Sequence, residues 1–397
     1  MTPLLCICVP TFNRADHLAN LLVCLQREIG TRDDVIVQVS DNASPDGTEA
    51  FLRDAAATLP WLRVFRQSEN IGPFANLEWL IENAPPAHYL WLFGDDDVIV
   101  PGALETVVEI LAAQQPSWLF LPHHWVDGAG QVVGGSPAPS AVQSFTAAGD
   151  MFRAYDHWLT FLSASIVQAD ALRAAMRATQ AENAYAPLLW YFRAGLHGLC
   201  CVAPKHCVHG GQAISWLDRA HEYLTLHFTS LYDDGLKDGL TAQEFGAALD
   251  GLYRRDYDLI HHWRRIEIEK LAELLKRFPQ SEGLRGYLWS LAVEQRRDDV
   301  LGAVAASAQA TGADVLAAAL VAAGEQAFAS GDARTAAQRF MEAVACVPTL
   351  VEAWNDLAVV LHQLGLPEAA TAIEMALFVA PDDADAQSNR VAILGSA

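Results

Sequence analysis

The stretch LLCICVPTFNRADHLANLLVCLQRE, residues 4–28, holds the two periodicities on which the fold turns. LLCICV (4–9) is an unbroken apolar run, the pattern of a strand buried on both faces, and ADHLANLLVCLQRE (15–28) has the spacing of an amphipathic helix. Outward from it the alternation continues. DVIVQVS (34–40), LRVFRQ (62–67) and HYLWLFG (88–94) read as strands, and GTEAFLRDAAATL (47–59) and PFANLEWLIENA (73–84) as helices. Strands alternating with helices of this length predict βαβ units and an α/β fold with a mostly parallel sheet flanked by helices. In such sheets ligands bind beyond the carboxyl ends of the strands. That rule sets PTFNR (10–14), DNASPDGT (41–48), ENIGPFAN (69–76) and GDDD (94–97) along one rim.

The last of these loops poses a problem of charge. Asp95, Asp96 and Asp97 follow one apolar run directly and precede another, VIV (98–100). Adjacent carboxylates repel and raise one another's pKa unless a cation is present. On an extended segment, side chains at i and i+2 face the same way, so Asp95 and Asp97 are expected to reach one hard divalent ion together. Mg²⁺ or Mn²⁺ suits that role, since both accept carboxylates together with the phosphates of a substrate.

Composition narrows the partners. With 26 Lys+Arg against 48 Asp+Glu the 397-residue chain carries a net charge of -22, and it has no basic run. Nucleic acid and anionic membrane surfaces demand clustered Lys and Arg, so neither is expected as a partner. No apolar run approaches the ~20 residues of a membrane span. The start MTPLLCICVP lacks the basic residues and cleavage site of a signal peptide, so a cytoplasmic location is expected. Seven cysteines fit reduced thiols. In CCVAPKHCVH, Cys200, Cys201, His206, Cys207 and His209 fall together, but without the paired spacing of a structural zinc site they are expected to be buried strand residues.

No G-x-G-x-x-G follows the first strand and no G-x-x-x-x-G-K-[ST] occurs, which removes the dehydrogenase and P-loop readings. A glycosidase would need its two carboxylates at least ~5 Å apart across a bond, which consecutive aspartates do not provide.

CICVPTFNRADHLANLLVCL, VSDNASPDGT, ENIGPFANLEWLIENA and YLWLFGDDD together resemble the N-terminal half of the family 2 glycosyltransferases of GT-A fold, in flavour the abequosyltransferase type of O-antigen enzymes. The resemblance is strong over about 3–125 and fainter to about 217, and implies a GT-A domain over 1–220. It implies a nucleotide diphosphate sugar as donor, held by Pro10, Thr11, Asn13 and Arg14 in the first loop. Asp41 would bond the base, with Asn42 beside it, and Asn70, Gly72 and Asn76 would line the ribose and diphosphate side. The acidic triplet corresponds to the DXD motif: Asp97 as metal ligand, Asp95 and Asp96 on ribose, donor sugar or metal-bound water, with Asp95 also a candidate ligand and Asp96 a candidate catalytic group. His209 is a candidate third ligand. Where relatives carry a Glu-Asp pair this chain has AENAYAPLLWYF (181–192), so Glu182 is the nearest candidate base, with Asp156 and Asp170 behind it. Gln212 and Trp216 of HGGQAISW could close over the diphosphate.

From about 221 Ala-rich helical patterns take over, with RRIEIEKLAELLKRF (264–278) amphipathic. Ala336, Ala343 and Pro348 recur as Ala369, Ala376 and Pro381 at a spacing of 33, which resembles tetratricopeptide repeats over 318–397. The segment 221–317 is expected to be a helical linker or degenerate repeats completing the stack. The expected function is a metal-dependent, inverting transfer of a sugar to a hydroxyl of a surface-polymer intermediate or a protein. The repeats would serve a protein partner or a homodimer, and Asn355 and Asp356 are compatible with a groove. The alternative is a non-catalytic scaffold in which the sheet only senses a nucleotide sugar.

Overall fold

The computed structural model describes residues 2–179, 185–211, 227–255 and 268–395, and its chain divides into two compact units, 1–241 and 242–397. The first unit opens with β1 (Leu5–Thr11), α1 (Ala15–Ile29), β2 (Val35–Asp41), α2 (Thr48–Ala56), β3 (Leu62–Arg66), α3 (Pro73–Asn83) and β4 (Tyr89–Leu92). These are the elements expected from hydropathy, in the same order. Every residue of β1 from Leu5 to Val9 is sealed from solvent, which is why that strand reads as a continuous apolar run instead of an alternating one.

Strands β3, β2, β1 and β4 pair in parallel, Leu5 standing opposite both Val35 and Tyr89. Beyond β4 the sheet turns mixed. β10 (Ser165–Gln168) runs antiparallel to β4 and to β6 (Trp118–Phe120), and β11 (Cys200–Val202) and β9 (Gln143–Phe145) complete eight strands in the order β3-β2-β1-β4-β10-β6-β11-β9. A smaller sheet of four strands stands apart: β5 (Val98–Ile99), β12 (Val208–Gly210), β7 (His123–Val126) and β8 (Val132–Gly135). β5 begins immediately after the acidic triplet and pairs with β12, so this small sheet ties the triplet to a segment more than a hundred residues later.

Among its described residues the second unit is helical. Ala313–Ala329, Ala333–Cys346, Val351–Gln363, Glu368–Val379 and Ala384–Leu394 pack in succession. Ala336, Ala343, Ala369 and Ala376 are all buried where the helices meet. A Cβ on Gly324 would lie 2.7 Å from the ring of Phe340, so a residue without a side chain sets that helix spacing.

Candidate functional site

The partner of two of the three carboxylates is a side chain of the first loop. Arg14 directs Nη1 to Asp95 Oδ1 at 3.1 Å and to Asp96 Oδ2 at 3.0 Å. Thr11, at the carboxyl end of β1, donates its hydroxyl to the other oxygen of Asp95 at 2.7 Å. Because β1 and β4 are neighbours in the sheet, residues 84 positions apart end side by side. Burial raises the Asp95 carboxyl above its ordinary value, against the pull of the Thr11 hydroxyl and the Arg14 charge.

The triplet itself is not extended. Asp97 N–H closes a turn on Gly94 O at 3.4 Å, so Asp95 and Asp97 diverge where the extended reading had them facing the same side. Asp97 turns to the opposite wall. Its Oδ2 accepts the Ser163 hydroxyl at 2.5 Å and its Oδ1 accepts the Gly211 N–H at 2.9 Å. Ser163 Oγ in turn accepts Gly94 N–H at 2.8 Å. Burial, then the Asp96 charge, push the Asp97 carboxyl up to about 7. A Cβ on Gly94 would lie 2.6 Å from Asp97 Oδ2 and 3.2 Å from Asp96 Oδ1, so these two carboxylates lean over a position that only glycine leaves open. At Gly211 a Cβ would run into the backbone carbonyl of Asp96.

The other expected contacts are occupied by the fold. Asp41 is buried, accepts Arg66 Nη1, and accepts Ser44 N–H at 2.9 Å, which makes it a cap of the second loop as well as a member of an ion pair. Asn42 donates to Asn70 Oδ1 at 3.0 Å and to Gly72 O, and accepts Ile71 N–H, so it clamps the third loop to the second. Asn76 is turned inward: Ser40 Oγ donates to its Oδ1 at 2.6 Å, Gln67 reaches the same oxygen at 3.4 Å, and its amide donates to Ser40 O. Gly72 takes φ +85° just before Pro73, a conformation that a side chain would strain, and Asn13 has φ +59°, which asparagine tolerates. Pro10, next to last in β1, stands opposite Ser40. The rim that the sequence placed is therefore real, but Asn42, Asn70 and Asn76 hold its loops in shape.

His209, on β12, lies 5.7 Å ring to ring from His124. Among the described residues no three His, Cys, Asp or Glu side chains gather into one group, and Asp95 and Asp97, expected to share an ion, face different partners. The reason is the turn at 94–97, which sends Asp95 to Arg14 and Asp97 to Ser163. Cys200, Cys201 and Cys207 are buried, and burial pushes the thiols of Cys200 and Cys207 up to about 12. Asp170 is exposed and pairs with Arg173, three residues on. Asp156 is buried against His157, with Oδ1 2.5 Å from Nδ1. Glu182, Gln212 and Trp216 lie outside the described residues. Ser163, Arg66 and Gln67 went unread in the sequence, and only the Gly210-Gly211 doublet hinted at the close approach by which the later segment reaches Asp97.

Residues 6–124 match the family model Glycosyl transferase family 2. The chain is 31% identical over 117 residues to the abequosyltransferase RfbV of Salmonella typhimurium, a match covering 29% of this chain and 35% of that protein. The chain thus spans about a third of the length of that curated relative. Among solved structures it resembles S. aureus TarS 1-349, with TM-score 0.52 and 16% identity over 73% of this chain and 84% of that one. The same TarS fragment in complex with UDP gives TM-score 0.51 at 17% identity, with the same coverage of both chains. At such identity the likeness speaks for the fold: a mixed sheet with flanking helices of GT-A type, followed by helices.

Proposed function

We propose that this chain transfers a sugar from a nucleotide diphosphate sugar to a hydroxyl acceptor. The observation that carries the reading is the convergence of Thr11, Arg14, Asp95, Asp96 and Asp97 at the carboxyl ends of β1 and β4. All five lie inside the stretch that matches the family model. The relative from S. typhimurium is named for a sugar transfer, and the solved TarS fragment holds UDP, so a uridine nucleotide heads the candidates.

A divalent ion, Mn²⁺ or Mg²⁺, fits the donor chemistry of the turn. Asp96 and Asp97 offer hard oxygens leaning together over Gly94, and a cation beside Asp97 would favour the charged form that burial resists. Such an ion, when bound, neutralises charge on the leaving diphosphate. Arg14 balances Asp95 and Asp96 and stands ready to meet phosphate oxygens, while Ser163 and the Gly211 amide fix the Asp97 carboxylate. In an inverting transfer the acceptor oxygen attacks the anomeric carbon as the bond to the diphosphate breaks, and the acceptor proton passes to a base. Glu182 is the base we propose. The acceptor is a surface-polymer saccharide or a protein side chain. We assign the helices beyond 318 to tetratricopeptide-like repeats that serve a protein partner or a second copy.

One observation favours the scaffold reading instead: Arg14 already supplies positive charge to two of the three carboxylates. Thermal unfolding with UDP, GDP, dTDP and CMP, each with and without Mn²⁺, separates the two, since a ligand binding only the folded state raises its stability. A Mn²⁺-dependent rise with one nucleotide diphosphate, lost in Asp97→Ala and joined by slow donor hydrolysis, supports the transferase. A rise that ignores Mn²⁺ and Asp97, with no hydrolysis, supports the scaffold. No shift with any nucleotide sinks both.

A further inference from the structure

We propose that Trp125, Trp158 and Phe161, gathered around His123 beside the acidic turn, form a platform on which a pyranose ring of the acceptor stacks. Its role as acceptor subsite rests on the transferase reading, whereas the binding of a saccharide there does not.

The four rings form one cluster. His123 stands 5.2 Å from Trp125, 5.8 Å from Trp158 and 4.6 Å from Phe161, centroid to centroid, and Trp125 lies 4.8 Å from Phe161. His123 is buried, while the other three rings are only half-buried. Among the described residues the buried indole N–H of Trp158 has no hydrogen-bond partner, whereas a backbone hydrogen bond at Leu121 bears on the His123 ring. Trp91 donates to Ser163 O at 2.8 Å and Trp118 to Ser165 Oγ at 3.0 Å, while the buried Trp61, outside the cluster, shares the unmet N–H of Trp158. Buried polar groups are ordinarily paired, so the Trp158 N–H points to a missing partner. Burial pushes His123 down to about 3, so its ring is neutral and offers one donor and one acceptor. A sugar hydroxyl both donates and accepts, and the C–H faces of a pyranose suit the negative face of an indole or phenyl ring. A purely apolar ligand would leave the Trp158 N–H unmet.

The location suits an acceptor. A Cβ on Gly210 would run into Trp125 and lie 3.1 Å from the Phe161 ring, so both rings rest on Gly210. The next residue, Gly211, donates to Asp97, and Ser163, two residues after Phe161, does the same from the other side. Two residues of chain span at most ~7 Å. The platform is therefore tied along two separate segments to the carboxylate that faces the donor.

The test uses the full chain and saturation-transfer NMR with the methyl glycosides of glucose, galactose, mannose, N-acetylglucosamine and rhamnose. At least one should give signals on its ring C–H protons in the wild type. Trp158→Ala should lower them roughly fivefold, while Phe65→Ala, at an exposed aromatic outside the cluster, should leave them in place. Trp158→Phe keeps a ring but removes the N–H and should retain part of the signal. It also provides the comparison if the alanine variant does not unfold cooperatively. No signal from any glycoside, or equal signals in the wild type and both Trp158 variants, overturns the platform. Because nucleotide-induced thermal shifts are read separately, loss of those shifts with saccharide signals intact refutes the donor reading and leaves the platform standing.

Discussion

Each unit of the molecule contains a cluster of like charges, and the two are built in opposite ways. In the first, every carboxylate of Asp95, Asp96 and Asp97 is engaged, by Thr11, Arg14, Ser163 or the Gly211 amide. In the second, Glu325 and Glu352 line a cavity of about 220 Å³ with Asp314, Val321, Val347 and Leu350, and Asp356 lies close enough for both glutamates to repel its charge. No side-chain hydrogen bond or ion pair reaches Glu325, Glu352 or Asp356 among the described residues. The contrast teaches that acidity alone does not mark a site. What marks the first cluster is that backbone and side chains from three separate segments are committed to fixing its oxygens.

The sharpest way to break this comparison is at Gly211. Gly211→Ala drives a methyl into the Asp96 carbonyl, and overpacking of this kind costs about 1–3 kcal/mol. Urea unfolding should show that loss, and the nucleotide-induced thermal shift should vanish; a variant as stable as the wild type would mean that the clamp is loose. Next comes Arg14→Ala, which leaves two carboxylates without their cation and should cost roughly 1–3 kcal/mol at pH 8, less near pH 4 since burial raises the Asp95 carboxyl and favours its neutral form there. No loss at either pH would reduce Arg14 to a surface charge.

Asp97→Asn should do the reverse for stability. With a folded value near 7 against an ordinary 3.8, the folded chain holds a proton that the unfolded chain releases, so wild-type stability falls as pH rises from about 4 to about 7 and then levels. The asparagine variant lacks that slope and should melt ~2–4 °C higher at pH 8, with no gain near pH 4, while losing the Mn²⁺-dependent nucleotide shift. A melt at pH 8 no higher than that of the wild type would argue that Asp97 is comfortable as an anion. The smallest effect is expected in the helical unit. Burial, then Glu352 and Glu325, raise Asp356 to about 6. Asp356→Asn should raise the melting temperature slightly at pH 7, an advantage that fades toward pH 4. An Asp356→Asn effect larger than that of Asp97→Asn would overturn the ranking of the two clusters.

Much of the fold was legible because β1 to β4 are buried and contiguous, so hydropathy alone bounds them to within a few residues. The rim followed from a rule about parallel strands. What could not be read was the direction of each polar side chain. Asn76 looks like a ligand contact in a loop, yet it serves Ser40 and Gln67 beneath the rim. The acidic triplet looks like an extended metal-binding strand, yet a single hydrogen bond to Gly94 O turns it and parts Asp95 from Asp97. Ser163 carried no local signal, because its meaning lies 66 residues away. The small sheet that brings β12 to β5 pairs strands of two and three residues, too short for any periodicity to reveal.

The span between Asp97 and Gly211, 114 residues, also has a bearing on how the chain acquires its shape. Contacts of such separation are won late, after nearer elements have condensed, since closing a long loop is entropically unfavourable until those elements hold its ends together. The first four strands with their helices can assemble from local βαβ pairings, but the Asp97 clamp must wait for β12. A chain released from the ribosome only as far as residue 200 would carry the acidic turn with Ser163 but without the Gly211 amide. On the proposed function, competence to hold a donor is thereby a late event in the life of each molecule, and a bound nucleotide would report that the first unit has finished folding.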